Sequence, residues 1–445
     1  MIAIRSAPTS VPRAPSAPRA RGSPGRATTR ANASARRRAV VVPPSASSSR
    51  SVAAASASAS TATASATYEL RPDAVPSTQR ASSSSAAPPE LVLYRDTNAW
   101  CPFCERVWLA LEAKGVSYTC EFVDLRRVHP KWFTDLVPTG LVPAARFAAD
   151  DALVWESMDI LRELETRFPD APALTPADED GAAKMEAFIA REVEGAFYLT
   201  LVPIRPRGFG AAKDPEDLPK LRAELEVAVA RAKPHFANGF IVGDAMTTAD
   251  VLVAPALERL AANLLTFRGY DLRCVLSYTA EFEPWFLAME ATPAYRAVMG
   301  DPETHNTVVR QLFGLSNGEA SLPPPPASVP ETPTGAKEAG TCLSNNMDAV
   351  VADALKNSGV DADADDAEAI VRTYLETLAA SLLADGDGDG VAAARPIAPH
   401  PRPARAMGAA TLAFVRNRVS APRDMSAHAA VAFRAAADAF LTSVY

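Results

Sequence analysis

The sequence predicts a small α/β layer, then an all-helical half, then a helical extension. Three observations carry that prediction. Between residues 90 and 168, short apolar runs bounded by turn residues alternate with helical periodicity. From Asp178 to about Phe313 helical periodicity recurs and no convincing strand interrupts it. After a Pro-rich stretch, residues 347–445 again carry helical patterns. A chain of 445 residues with 48% apolar side chains has room for two or three such units.

Taken in order, Leu91-Val92-Leu93-Tyr94 reads as a short buried strand and Arg106–Lys114 as a helix closed by Gly115. Tyr118–Val123 is a second strand; Ala144–Phe147 and Leu153–Trp155, joined through Asp150-Asp151, form a hairpin. A helix follows from Ser157 to Phe168. The helical half holds patterns at Ala182–Tyr198, Leu218–Phe236, Ala249–Asn263 and Glu283–Glu290. The extension holds them at Asp348–Lys356, Ala367–Leu383, Ala410–Arg418 and Ala427–Thr442. Between the two, Leu315–Thr341 contains Pro323-Pro324-Pro325-Pro326, Pro330 and Pro333, which reads as a semi-rigid linker. The expected boundaries are 1–85 for a leader, 89–172, 173–313, 314–345 for the linker and 346–445 for the extension.

Charge separates the first segment from the rest. Residues 1–68 carry ten Arg and no Asp or Glu; setting those ten aside leaves 35 basic against 52 acidic side chains, a net of −17. A body that acidic has no basic face to neutralise phosphates, so nucleic acid is not an expected partner. No run approaches the roughly 18 apolar residues of a membrane span, so no membrane is expected either. The Arg-, Ser- and Ala-rich opening is too poor in large apolar groups to fold alone. It fits an organelle transit peptide, and its Ser, Ala and Pro content favours the chloroplast stroma. The competing reading is a disordered tail kept on the mature protein.

Five cysteines occur, an odd and sparse number that argues against a disulfide framework. Two lie in Trp100-Cys101-Pro102-Phe103-Cys104, directly after a strand and opening a helix. There the unpaired backbone N–H groups and the positive helix end favour thiolate. The three-residue offset sets Cys104 one turn behind Cys101, within reach of a disulfide, and Pro102 takes the first helical position. A CxxC is also half of a zinc site, but no second CxxC or paired histidines follow, and redox chemistry is the stronger reading. Cys120, Cys274 and Cys342 belong to no motif. The histidines (His129, His235, His305, His400, His428) are scattered and read as ordinary surface or core residues.

Two further features fit thiol chemistry. Pro143 in Leu141-Val142-Pro143, if cis, turns the chain beside the cysteine and leaves the Val142 backbone to pair with an extended thiol peptide. Glu156-Ser157 opens the next helix, where amides and a hydroxyl suit a carboxylate and Glu156 an ammonium group. Taken alone, the pair reads better as a helix cap. Some tempting patterns fail. Asp385–Gly390 imitates a calcium loop but places Pro396 where a bidentate Glu belongs, and the Asp361, Asp363, Asp365 run has Asp366 in place of the needed Gly. Arg36-Arg37-Arg38 reads as leader charge. Phe197, Tyr198, Trp285 and Phe286 line the cleft or, at helical spacing, fill the core.

Together these residues resemble the cysteine-type glutathione transferases, especially the omega group. The resemblance rests on Cys101-Pro102-Phe103-Cys104-Glu105-Arg106 with Leu109, Lys114 and Gly115. It rests also on Trp132-Phe133, Pro138 to Pro143, Glu156-Ser157, Gly243-Asp244 and Thr247-Thr248-Ala249-Asp250, the last with capping-box spacing. It spans roughly residues 90–313. Arg416–Met425 resembles an extension of plastid and cyanobacterial members, which points to the iota-like class of photosynthetic organisms.

The resemblance implies a thioredoxin-like N-terminal domain and a helical transferase C-terminal domain, with glutathione as co-substrate bound between them. By position, Cys101 is the nucleophile that forms a mixed disulfide with glutathione. Phe103, Val142, Pro143, Glu156 and Ser157 form the glutathione site, Val142 pairing with its cysteinyl backbone and Glu156 with Ser157 holding its γ-glutamyl end. Two departures stand out. Leu136 occupies a place near which omega members carry Lys, and Cys104 replaces their usual Ala, adding a thiol able to resolve the intermediate. The implied activity is a thiol transferase or reductase acting on small-molecule or protein disulfides, glutathionylated thiols or dehydroascorbate, in a homodimer and without a metal. The rival readings are a carrier of apolar ligands and a transferase-fold protein whose two subunits share an iron–sulfur cluster through Cys101 and glutathione.

Overall fold

A computed structural model describes residues 89–124, 130–193, 229–268, 271–273, 282–313, 333–384 and 402–444, together with 223, 226 and 227. The expected leader, the Asp385–Gly390 run, Pro323 to Pro326, Phe197, Tyr198, Cys274, His129 and His400 lie outside the described residues, as does most of Leu218–Phe236 before residue 229.

The first layer is a four-stranded sheet in the order β2-β1-β3-β4. Strand β1 (Leu91–Asp96) pairs in parallel with β2 (Tyr118–Val123), Leu91 opposite Tyr118, and α1 (Pro102–Lys114) is the crossover between them. Strand β3 (Ala144–Phe147) lies antiparallel on the other side of β1, with Tyr94 opposite Ala144, and β4 (Leu153–Trp155) closes the hairpin with Trp155 opposite Ala144. A short helix, α2 (Lys131–Leu136), precedes β3, and α3 (Ser157–Arg167) follows β4.

Helix α1 is buried on nearly every side, including Val107, Trp108, Leu109 and Leu111. It stops at Gly115, whose φ of 64° returns the chain toward β2. It begins at Pro102 and so is longer than the Arg106 start suggested by periodicity. Pro is tolerated at the first helical position because that N–H has no partner in a helix anyway.

The helical part that follows holds α4 (Glu179–Phe188), α5 (Thr248–Arg268), α6 (Glu283–Ala291), α7 (Pro293–Val298) and α8 (Pro302–Phe313). Helix α1 packs on α5 and α7, and α8 packs on α5, so the cysteine-bearing helix is held between sheet and helices. Asp250 organises the start of α5. Its carboxylate accepts from the Thr247 N–H at 2.8 Å, the Thr247 hydroxyl at 2.9 Å, the Ile241 N–H at 2.9 Å and the Trp285 indole at 2.9 Å. The capping-box spacing is thus realised on the Asp side, and Trp285 is a fully buried core residue.

The extension packs α9 (Pro333–Asn345), α10 (Met347–Asn357), α11 (Ala367–Ala384), α12 (Arg402–Arg418) and α13 (Ala427–Val444) around Val371, Tyr374, Leu375, Phe433 and Phe440. Helix α9 corrects the linker expectation of 314–345 over residues 333–345; residues 314–332 lie outside the described residues. Pro333 is the first helical residue rather than a break, and Ala336, Ala339, Gly340 and Leu343 present a helical stripe to α11 and α13. The sequence reading also passed over α2, α7 and α8, which are short or carry few large apolar residues.

Candidate active site at the start of helix α1

Three chain segments meet at one end of the sheet. The segment after β1 delivers Trp100 and Cys101, the segment before β3 delivers Val142 and Pro143, and the segment after β4 delivers Glu156 and Ser157. The pairings Tyr94 to Ala144 and Ala144 to Trp155 put these ends side by side. Val142 and Cys104 share a small buried cluster with Tyr94, Val123, Phe133 and Leu153, against which Cys101, Leu136 and Trp155 pack partly buried. The Val142–Pro143 peptide is cis. Glu156 is exposed and takes φ 77°, while Ser157 is buried at the start of α3. Although Glu156 holds the cap position, its side chain makes no capping bond, so the cap reading of this residue fails. Phe103 is 42% exposed on the rim, with the Arg106 guanidinium 5.2 Å from its ring centroid.

Cys101 stands at the cap of α1, half-buried. The Cys104 thiol hydrogen-bonds to its sulfur, and this is the largest influence on it. Burial and the nearby Asp96 charge oppose ionisation, but backbone N–H groups of Cys104 and Phe103 add to the thiol bond, and the Cys101 pKa falls below the usual cysteine value. Cys104 goes the other way: full burial, and then the bond to Cys101, hold its pKa well above the usual value. One thiol is therefore poised to ionise and the other to keep its proton. Burial also pushes the Cys120 thiol up, and Cys342 up to about 12, so those two cysteines are not nucleophiles of this kind.

Asp96 ends β1 behind the cysteines. It is 3% exposed; its Oδ2 accepts from the Trp100 N–H at 2.8 Å, while its Oδ1 has no hydrogen-bond partner among the described residues. Trp100 is fixed in three further ways. Arg259 donates to its carbonyl at 2.8 Å and lies 5.1 Å from its ring centroid, and its indole N–H donates to His305 Nδ1 at 3.1 Å. Arg259 also donates to Glu105 at 2.7 Å, an ion pair buried under the first turn of α1. His305 Nε2 lies 2.6 Å from Glu258 Oε1, and Glu258 also accepts from the Gly300 N–H at 2.8 Å and the Tyr295 hydroxyl at 2.9 Å. Asp96, His305 and Arg259 were missed as site residues. Arg259 and His305 lie more than 150 positions from Cys101, and no local pattern joins them to it.

The family model described as glutathione S-transferase, N-terminal domain, matches residues 100–167, and the one described as glutathione S-transferase, C-terminal domain, matches residues 193–293. Probable glutathione S-transferase DHAR4 of Arabidopsis thaliana is 30% identical over 43% of this chain and 82% of its own length. Probable glutathione S-transferase DHAR1, cytosolic, of Oryza sativa subsp. japonica is 30% identical over 41% of this chain and 80% of its own. Glutathione S-transferase omega-1 of Mus musculus is 27% identical over 46% of this chain and 80% of its own. A cysteine at the start of the first helix of a small mixed sheet, followed by a helical domain, defines a cysteine-type transferase fold. The chain belongs to the glutathione S-transferase family, among its omega-like members.

Proposed function

We propose that this protein is a glutathione-dependent thiol transferase with Cys101 as its nucleophile. The observation that carries this reading is the polarised thiol pair: Cys101 is held toward thiolate by the Cys104 thiol and two backbone N–H groups at the start of a helix. The Cys101 thiolate attacks the glutathione sulfur of a mixed disulfide, forming Cys101–S–S–glutathione and releasing the substrate as a thiolate that takes up a proton. A second glutathione thiolate then attacks the glutathione sulfur, giving oxidised glutathione and restoring the Cys101 thiolate. Alternatively Cys104, after losing its proton, attacks the Cys101 sulfur and expels glutathione, leaving a Cys101–Cys104 disulfide for external reduction. Exchange is fastest when the attacking thiol titrates near ambient pH, which a moderate lowering of the Cys101 pKa serves.

Val142, beside the cis peptide and immediately before β3, is the residue that pairs with the cysteinyl backbone of glutathione. Glu156 and the first amides of α3, with Ser157, hold its γ-glutamyl end. Phe103 and Pro143 line the rim. Leu136 packs at this same cluster, near the place where omega members carry Lys. The preferred substrates are small disulfides and glutathionylated thiols, with dehydroascorbate as a further electron acceptor. The Arg-, Ser- and Ala-rich composition of residues 1–68 supports a plastid location for the activity.

The test is a glutathione-dependent disulfide-reduction assay coupled to glutathione reductase, with Cys101→Ser and Cys104→Ser beside the wild type. Activity in the wild type, its loss in Cys101→Ser and its retention in Cys104→Ser are expected if glutathione itself resolves the intermediate. Silence of all three proteins overturns the reading.

A further inference from the structure

The thiol pair shares its pocket with a third donor. A carboxylate oxygen of Asp96 and the two sulfurs of Cys101 and Cys104 all lie within 4.8 Å of one another. We propose that Asp96, Cys101 and Cys104 form a binding site for a thiophilic divalent cation, zinc above all, in a role separate from disulfide exchange. This inference does not depend on the glutathione reading.

Four features point to a cation. First, Asp96 is nearly sealed from solvent, yet among the described residues its Oδ1 has no hydrogen-bond partner, and a buried acceptor left unmatched is costly. Second, that carboxylate is already oriented: Oδ2 is fixed by the Trp100 N–H at 2.8 Å, the kind of outer bond that aims a metal ligand. Third, the donors suit the ion. Two thiolates and a carboxylate match zinc, with bonds of about 2.3 Å to sulfur and about 2.0–2.2 Å to oxygen. A tetrahedral ion therefore wants its donors roughly 3.3–3.8 Å apart, and here they lie within 4.8 Å of one another. Fourth, Cys101 is half-buried at the cleft while Cys104 is enclosed. That leaves one coordination position facing outward for water or a free thiolate.

The electrostatics agree with the geometry. Without a cation, a carboxylate and two sulfurs gathered in one pocket repel each other's negative charge. A dication reverses that relation, because it stabilises every anionic donor at once and draws the proton from a coordinating thiol. Binding is then an exchange. The cation enters, the Cys104 proton leaves, and so does the Cys101 proton in the fraction of molecules that hold one. With both sulfurs engaged, Cys101 is neither a nucleophile nor readily oxidised, so the metal is a reversible brake that keeps the thiols reduced.

The experiment uses the reduced full-length protein, titrated with zinc against a chromophoric chelator and with cobalt(II) as a spectroscopic probe. One zinc per chain is expected, with a cobalt–thiolate charge-transfer band and tetrahedral d–d absorption. Cys101→Ser and Cys104→Ser are expected to weaken zinc binding by about a hundredfold, and Asp96→Asn by about tenfold. Asn keeps an oxygen acceptor for the Trp100 N–H, and unchanged thermal melting of Asp96→Asn verifies that the fold is intact. Zinc binding by Asp96→Asn equal to wild type overturns the three-donor site, as does binding that survives loss of both cysteines. The disulfide-reduction assay in chelator separates the two readings. Exchange without zinc binding removes this inference alone, and zinc binding without exchange removes the transferase reading alone.

Discussion

Cys101 and Cys104 differ by one helical turn and by opposite displacements of their acidity: the bond from Cys104 most lowers the one, and burial most raises the other. Cys104 is buried and keeps its proton; that proton is what lowers the Cys101 pKa most. Replacing the donor tests this directly. In Cys104→Ala the midpoint of the pH profile for Cys101 alkylation is expected to rise, because burial and Asp96 then oppose ionisation with less to offset them. An unchanged midpoint assigns the lowering to the helix N-terminus instead. The motif and its helix-opening position were legible from the sequence, since both are local. Asp96, five positions upstream, was not legible as a partner, because only the turn after β1 brings its carboxylate back to the thiols. Glu156 shows the opposite failure: its position fits a cap, but its φ is 77° and its side chain makes no capping bond.

Helices carry the next set of consequences. Under α1, Glu105 is fully buried against Arg259, and burial, with Arg259 opposing it, pushes its pKa up to about 8. An unfolded Glu titrates near about 4.3. The folded state therefore binds the proton more tightly than the unfolded state, and its contribution is complete below the unfolded value. It is lost as pH rises between about 4.3 and about 8. Thermal melting is expected to fall across that window by less in Glu105→Gln than in the wild type; parallel profiles would refute the assignment.

In the extension, Gly408 of α12 faces Tyr374 of α11 so closely that a Cβ there would clash with the ring. Gly408→Ala is expected to destabilise the extension by about 1–3 kcal/mol, read by denaturant unfolding. An unchanged midpoint would mean that α12 shifts away freely. Such packing explains what the sequence concealed here. A glycine or a proline reads as a break, whereas Gly340 lets α9 approach α11 and Pro333 starts α9. The strands were easier, since each is a short apolar run ended by turn residues on both sides.

Across the whole molecule, a continuous set of bonds runs from the extension to the residue beside the nucleophile. Arg434 on α13 donates to Asp301 Oδ1 at 2.7 Å, to the Thr304 hydroxyl at 3.2 Å and to the Val419 carbonyl at 2.7 Å. The Ala421 N–H reaches the same Thr304 hydroxyl at 3.1 Å, and Arg416 pairs with Glu303. Asp301 in turn caps α8 through the Glu303 and Thr304 N–H groups at 3.0 and 3.1 Å. One residue on, His305 joins Glu258 on α5 to the Trp100 indole. The extension is therefore fastened to the one turn of α8 that supports the approach to Cys101, a relation no spacing in the sequence reveals.

Burial alone would raise the Asp301 pKa, but Arg434 and the Thr304 bonds outweigh it and hold the carboxyl below its ordinary value. The clamp thus contributes stability above the ordinary Asp range and loses it as pH falls through the depressed value. Arg434→Ala leaves Asp301 as an unpaired buried charge, with an expected cost of about 3–5 kcal/mol. If the bonds act as a unit, the same variant also shifts the pH profile of Cys101 alkylation. Its effect is then non-additive with His305→Leu, by on the order of 0.5 kcal/mol or more in a double-mutant cycle. A loss of stability with an unaltered alkylation profile would confine the extension to holding α8, and the thiol would owe it nothing.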